Sequence, residues 1–297
     1  MVEAIPGPRD QVIPSGENLF KALLLIAALA GLFLFSNHVF HLDSPLRWIP
    51  LAGLAILEVV ILTGMGVLAH DAVHRVLFRT PFWNEFWGGL LSALVLIPFQ
   101  ANRQVHLSHH SRAHQPGLDP EEAMHRYPFV VAVLIGAPIG VAINYRQFLV
   151  HLANGRIARV ALDVFFLAIA GAIYFALLPA LGISLMATIV PVLLAFPLVF
   201  AFRALSDHYG LPAVARGARE EDRENVTGWV VLTPRWLEWL WSHVNYHEVH
   251  HKYPWLAHTY LPAVFAATRE KHPYAVLPGY WRALWSHRKR SYYGGQI

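Results

Sequence analysis

Four long apolar stretches limit what this chain can fold into more than any other feature of its sequence. They cover about residues 19–40, 48–69, 160–181 and 183–202. Each matches the roughly 20 apolar residues that a helix needs to cross a bilayer. Only 14% of the 297 residues are charged, whereas a soluble domain carries about 25%. The sequence therefore predicts an all-α integral membrane protein with four transmembrane helices.

The links between these stretches predict two helical hairpins. The segments "HLDSPLR" and "LG" connect the members of each pair, and a long middle segment separates the pairs. With four spans, the middle segment and both termini share one side of the membrane, and of 23 Lys and Arg residues only Arg47 lies on the other. Basic residues accumulate in cytoplasmic loops. We therefore expect a single domain over residues 1–297 in the inner or cytoplasmic membrane, with a cytoplasmic helical cap.

Two further apolar stretches, Phe86–Gln100 and Phe129–Ile143, have about 15 residues each, which is short for a hydrocarbon core of about 30 Å. Pro138 also interrupts the second stretch. We expect both to be interfacial, re-entrant or packed on the cap. Trp229–Trp241 is rich in tryptophan, which favours the headgroup layer. That segment predicts a helix lying in the membrane interface.

Three histidine clusters occur in the segments that this topology places in the cytoplasm. The first box is "HDAVH" at the end of the second span, and the second and third boxes are "HLSHH" and "HEVHH". Residues four apart on a helix face the same way, while adjacent residues diverge by about 100°. One H-x-x-H-H turn can therefore serve two metal ions. The candidate ligands in the three boxes are His70, His74, His106, His109, His110, His247, His250 and His251.

The number and type of these residues favour a site with two metal ions. Chance would give roughly 0.06 H-x-x-H-H triplets in a chain with this histidine content, and two are present. A tetrahedral zinc ion takes about four ligands, so eight imidazoles are too many for one zinc ion. Imidazole alone does not distinguish zinc, copper, iron and nickel. The absence of cysteine excludes disulfides, thiolate nucleophiles and iron–sulfur or rubredoxin-type centres on this chain.

The sequence around the boxes carries a wider pattern between about Gly64 and Pro262. Its segments are "HDAVHRVLFRTPFWNEFWGGLL", "HLSHHSRAHQPGLDPE" and "NYHEVHHKYPWLAHTYLP". In order and spacing they resemble the membrane-bound fatty acid desaturase superfamily, and its bacterial acyl desaturases in particular. The resemblance implies a non-haem diiron centre with two iron ions that uses O₂ to introduce a double bond into a fatty acyl or lipid chain. It also implies an external electron donor, which would be a ferredoxin, a rubredoxin or a cytochrome-type protein with its reductase.

The same resemblance implies roles for residues outside the boxes. His208, in "RALSDHYG" shortly after the last span, occupies the place of a ninth ligand, and Ala204 stands where some relatives have an asparagine that acts through water. Neutral imidazoles leave the charge of two iron ions uncompensated, so nearby carboxylates should accept their free ring N–H groups. Asp71 and Asp119 are the candidates for this role. Asn245 is similar to an asparagine before the third box of bacterial relatives and is a candidate supporting residue.

Other functions remain open at this point. Within the superfamily, hydroxylases, carotenoid ketolases and 1-alkene-forming fatty acid decarboxylases share the boxes. A zinc-dependent membrane hydrolase would need neither O₂ nor electrons. A metal transporter would need ionisable residues inside the spans, where Glu58 is the one interior acid. The remaining histidines have no partner at ligand spacing, so surface or hydrogen-bonding roles are expected; His114 and His243, which lie nearest the boxes, are the exceptions to watch. No nucleic-acid partner is expected.

Overall fold

Long helices form most of the protein, whose computed structural model describes residues 5–217 and 226–294. The helices of this part are α1 (Ser15–Phe40), α2 (Trp48–Val73), α3 (Pro81–Leu94), α4 (Phe99–His110), α5 (Glu122–His125), α6 (Phe129–Ala153), α7 (Ile157–Ala172), α8 (Leu178–Ala180), α9 (Ile189–His208), α10 (Arg235–Leu240), α11 (His247–Lys252), α12 (Leu261–Thr268) and α13 (Tyr280–His287). A π-helical turn over Ile173–Leu177 makes α7 and α8 continuous. Short 3₁₀ turns occupy Pro45–Arg47 and His258–Tyr260.

Five of these segments are long and apolar enough to cross a membrane: α1, α2, α6, the continuous α7–α8, and α9. In α2, 61% of the apolar window is buried, against 28–33% in the other four. α2 therefore lies at the centre of the bundle. The outer faces of its neighbours expose large apolar side chains such as Phe20, Phe35 and Leu194, as expected for surfaces that face lipid. The protein is therefore a membrane protein built mainly from helices.

The two predicted hairpins are present, and their far ends meet at Asn37 near the end of α1. The side-chain amide of Asn37 donates to the Gly182 carbonyl at 3.2 Å, and its oxygen accepts from the Ser184 backbone N–H at 2.8 Å. These bonds hold residues 181–188 as a link between α8 and α9. The predicted span 183–202 is therefore wrong in its bounds: the helix runs over Ile189–His208, because the link takes up the residues before it.

The pair α3 and α4 forms a sharp bend. Together the two helices pass the length and composition test for one span, but their axes differ by 99°. The Tyr174 hydroxyl donates to the Leu94 carbonyl at the end of α3 at 2.6 Å, which places the bend beside the π-helical turn. Gly88 and Gly89 allow close packing here, because added Cβ atoms would lie 2.4 Å from the rings of Phe99 and Phe166. The bend directs α4 towards the histidine-bearing end of α2.

Helix α6 is longer than the sequence predicted. The expected short stretch Phe129–Ile143 continues as a helix to Ala153, and Pro138 lies inside it. The prediction failed because polar residues such as Asn144 and Arg146 end the apolar window but do not end the helix. The Phe129 ring packs on Tyr209, just beyond α9, at 5.5 Å. The other end passes through residues 154–156 into α7. Both ends of α6 therefore lie at the end of the bundle where α9 finishes.

The C-terminal third covers that same end with short elements. The strands β1 (Trp229–Val231) and β2 (Ala275–Leu277) pair in parallel, with Val230 opposite Val276. The prediction of one helix over Trp229–Trp241 is therefore wrong, and the fold is mainly helical rather than all-α. The β-branched pair Val230–Val231 suits a strand, and Pro234 then sets the start of α10, since proline is tolerated at a helix start.

Candidate metal centre

All nine histidines proposed as ligands from the sequence converge at this end of the bundle. Eight of them form two groups, and within each group the ring nitrogens lie within 4.8 Å of one another. Group one contains His70, His74, His106, His110 and His250, and group two contains His109, His208 and His251. His247 adjoins group two, because its Nε2 atom lies 2.9 Å from that of His208 and 3.1 Å from that of His251. The nine residues thus form a set of five and a set of four.

Four separate elements supply these rings. The first box occupies the end of α2, the second box ends α4, His208 is the last residue of α9, and the third box lies in α11. In both H-x-x-H-H boxes the two adjacent histidines diverge: His109 and His251 join group two, while His110 and His250 join group one. This is the division that helical geometry predicted from the spacing.

In group one the Nε2 atoms point towards a common centre. Those of His74 and His106 are 2.9 Å apart, as are those of His106 and His110, and His110 lies 3.1 Å from His250. The His70 ring completes the group, with its centroid 4.5 Å from the rings of His106 and His250. Two nitrogens bound at right angles to one metal at about 2.1 Å would be about 3.0 Å apart. The spacing in group one fits a shared metal ion.

In group two the proton positions on two rings can be inferred, and they test whether the site suits a metal ion. His109 Nδ1 lies 2.9 Å from Asp119 Oδ1, and His208 Nδ1 lies 2.7 Å from the Thr227 carbonyl. Each Nδ1 therefore carries the ring proton, which leaves a lone pair on each neutral Nε2. Those two Nε2 atoms face each other at 3.1 Å. Two lone pairs repel at this distance unless a cation lies between them, so the residues fit a metal centre.

The surroundings favour the neutral imidazole that a metal requires. Burial lowers the pKa of His247, His250 and His251 well below the ordinary histidine value, since desolvation penalises the charged ring. The third box therefore presents unprotonated nitrogens at neutral pH. Metal binding here does not have to displace a proton from these rings.

Asp119 and Asp71, the two acids expected to support the ligands, contact different histidines. Asp119 contacts His109 and also accepts backbone N–H groups from His114 at 3.0 Å and Glu121 at 2.8 Å. Asp71 lies 3.6 Å from His70 Nδ1, but its shortest bond, 2.9 Å, is to His258 Nδ1.

Asn245 lies before the third box. Its side-chain amide donates to the Val231 carbonyl at 2.9 Å and to Glu238 at 3.3 Å. These bonds tie the turn before α11 to β1. They make Asn245 a residue that positions the third box through the backbone.

Glu121 also lies at the centre, although no pattern in the sequence predicted it. Its carboxylate is 3.5 Å from His106 Nδ1 in group one and 3.9 Å from His109 Nε2 in group two. Glu121, two residues after Asp119 in the sequence segment "DPEE", thus lies within 4 Å of a ring in each group. Nothing in its spacing distinguishes it from Glu122, so only the structure identifies it.

Glu248, inside the third box, supports the site indirectly. Its Oε2 accepts the backbone N–H groups of Thr227 at 2.9 Å and Gly228 at 2.5 Å. A Cβ on Gly228 would lie 3.1 Å from the Glu248 backbone nitrogen, so this segment packs closely on α11. Glu248 thereby fixes Thr227, whose carbonyl orients His208.

A cavity of about 170 Å³ borders the histidines. Its inner wall includes His70, His106, His208 and His247, and its other walls come from α2, the α3–α4 bend, α6 and α9. Most of the lining side chains away from the histidines are apolar, such as Val95, Ile97 and Phe196. An apolar molecule could therefore approach both histidine groups.

Comparison with known proteins agrees with this geometry. A family model described as "Fatty acid desaturase" matches residues 46–283, a range that includes all nine histidines and most of the helical bundle. No curated protein matches the sequence.

Proposed function

Since the chain belongs to the fatty acid desaturase family, we propose that it is an O₂-dependent diiron oxidoreductase that introduces a double bond into a fatty acyl or lipid chain. The observation that carries this proposal is the convergence of nine imidazoles as sets of five and four around facing ring nitrogens. A set of this size exceeds the needs of one ion with about four ligands. The proposed ligands are His70, His74, His106, His109, His110, His208, His247, His250 and His251.

The proposed topology keeps four spans, with the active site on the cytoplasmic side of an inner or cytoplasmic membrane. α1, α2, α7–α8 and α9 run between the Asn37 end and the histidine end, whereas α6 begins and ends at the histidine end. A helix with both ends on one side does not cross. α6 would then lie along the membrane surface, and the basic-residue asymmetry of the sequence supports the cytoplasmic assignment.

The side chains around the centre have separable tasks. When bound, the two iron ions would supply O₂ activation and the removal of hydrogen from an unactivated C–H bond. Asp119 holds the proton on His109 Nδ1, and the Thr227 carbonyl holds that on His208 Nδ1, so both rings keep a lone pair for metal. Val95, Ile97 and Phe196 line the approach with apolar surface, which excludes water and suits a hydrocarbon chain.

Electrons have to come from a separate protein in this scheme. The chain contains no cysteine, so it has no iron–sulfur or rubredoxin-type centre of its own. A ferredoxin, a rubredoxin or a cytochrome-type protein with its reductase would therefore dock at the cytoplasmic face.

The decisive experiment is lipid profiling by mass spectrometry of cells that express the wild type or His109→Ala. We expect a new double bond only with the wild type, and iron in the purified wild-type protein at about two ions per chain, the number that the two histidine groups would hold. A new hydroxyl or keto group, or a terminal alkene, would instead assign the hydroxylase, ketolase or decarboxylase reaction. A zinc-loaded protein that releases a hydrolysed product without O₂ would assign a hydrolase.

A further inference from the structure

The cavity contains one cation that the metal centre does not explain. Among the described residues that line it, Arg203 is the one Arg or Lys, and it is only 9% exposed. Its Nη1 atom pairs with Asp207 Oδ2 at 2.5 Å. Its Nε and Nη2 atoms are buried without a well-formed hydrogen bond among the described residues, and the Tyr280 hydroxyl lies near the guanidinium. One edge of the buried guanidinium therefore has two donors without a well-placed acceptor.

The geometry of that edge selects a ligand type. A guanidinium is a planar fork that binds a carboxylate through two parallel N–H groups, and Nε with Nη2 form one such pair. Asp207 fixes the orientation of the side chain from the opposite edge. Burying charged donors without acceptors is unfavourable, so a second carboxylate at the free edge would satisfy both.

The rest of the cavity selects a hydrocarbon attached to that carboxylate. Val95 and Ile97 at the α3–α4 bend, Val141 on α6 and Phe196 on α9 provide apolar walls. A free fatty acid supplies a carboxylate for the polar part of the cavity and a hydrocarbon chain for its apolar walls.

The position of Arg203 decides which part of the chain meets the metal centre. Asp207, the partner of Arg203, also lies 3.9 Å from His247 Nδ1, so only one side chain separates the guanidinium from a proposed ligand. The acids Asp207 and Glu121 also line the cavity, and Asp71 and Asp119 lie behind His70 and His109, but four carboxylates do not neutralise two iron ions and an arginine. An anion is therefore attracted to this place when metal is bound.

We propose that Arg203 binds the carboxylate of a free long-chain fatty acid in this cavity, so that the first few carbons after the carboxyl group lie beside the two histidine groups. The proposal rests on the proposed function, because it treats the cavity as the substrate site of the diiron centre. It makes a free acid the substrate class, in place of an acyl chain carried on a large headgroup.

The test is a binding comparison on iron-loaded, detergent-solubilised protein kept in its resting oxidised state. Palmitate, methyl palmitate and hexadecanol share one chain but differ at the head. We expect the wild type to bind palmitate about 100-fold more tightly than the ester, since two charge-assisted hydrogen bonds are lost with the ester. Equal affinity for palmitate and methyl palmitate in the wild type would overturn the proposal without any variant being needed.

Two variants assign the preference to a residue. In Arg203→Gln the palmitate affinity should fall to that of the ester, while the ester affinity and the iron content stay unchanged. Arg282→Gln makes the same chemical change at an exposed position on α13 and should keep the full preference. Retention of the preference in Arg203→Gln would overturn the assignment.

The outcome is independent of catalysis. A protein that prefers palmitate but forms no O₂-dependent product would support this site and contradict the proposed function. A protein that desaturates an esterified chain and shows no preference for the acid would support the proposed function and contradict this site.

Discussion

At the residue scale, the state of each imidazole depends on what its second nitrogen contacts. Asp119 combines three bonds, because it accepts from His109 Nδ1 and from the backbone N–H groups of His114 and Glu121. Those backbone bonds fix the carboxylate relative to α4, and the carboxylate then fixes the ring and its proton. Ligand orientation and the charge that faces the metal therefore depend on one side chain.

We expect Asp119→Asn to weaken metal binding by about 10- to 100-fold, the usual effect of removing a carboxylate behind a histidine ligand. The amide is neutral and can rotate to present its NH₂ group to His109, which would reverse the ring tautomer. The measurement is the iron retained during dialysis against a graded chelator. Glu270→Gln, at an exposed position, is the control, and equal retention in the two variants would contradict the role of Asp119.

At the element scale, the bent pair α3–α4 places the second box. Phe99, the first residue of α4, packs on α3 at Gly88, and an added Cβ there would lie 2.4 Å from its ring and 2.8 Å from the Ala72 Cβ. Ala72 lies between the two histidines of the first box. The close contact thus joins the helix end that carries the first box to the helix that carries the second.

We expect Gly88→Ala to destabilise the protein by about 1–3 kcal/mol, as overpacking usually does, although alanine by itself favours a helix by roughly 0.5–1 kcal/mol over glycine. The measurements are the thermal denaturation midpoint in detergent and the iron content. Gly53→Ala in α2 is the matched control, because a Cβ there meets nothing within 4 Å. A midpoint as high in Gly88→Ala as in Gly53→Ala would show that the contact relaxes without cost.

Local patterns in the sequence predicted local geometry well. The H-x-x-H-H spacing predicted that His109 and His110 would face different groups, since this follows from helix geometry alone. The length of α6 was not predicted, because an apolar window does not register a helix that continues through polar residues. The strand at Trp229–Val231 was not predicted, because its partner Ala275–Leu277 is distant in the sequence. The role of Glu121 was missed because its two distances depend on how α4 and the chain after it pack together.

At the scale of the whole molecule, the path of α6 decides the sidedness of the protein. If α6 crossed the membrane, its two ends would lie on opposite faces, and His208 could not join the second box without a further crossing. The contact between Phe129 and Tyr209 and the short link into α7 keep both ends at the histidine end. The proposed four-span topology would then place every box on one face.

Single cysteines can test this arrangement, since the natural chain has none. Arg126→Cys and Asn154→Cys flank α6, and Asp43→Cys lies in the link between α1 and α2; all three positions are exposed. In sealed inverted vesicles, a membrane-impermeant maleimide should label the first two from outside and leave the third unlabelled. Labelling of Arg126→Cys and Asn154→Cys from opposite faces would show that α6 crosses the membrane.

The nine rings come from four distant segments, and this also affects how stable the protein is against degradation in the cell. Without metal, a cluster of buried lone pairs pushes α2, α4, α9 and α11 apart, whereas bound ions hold the four together and add their binding free energy to the stability of the fold. If the centre holds iron as proposed, newly made chains in iron-starved cells would be the ones most exposed to membrane proteases. Iron supply would thereby set how much of the protein accumulates, as well as how much of it is active.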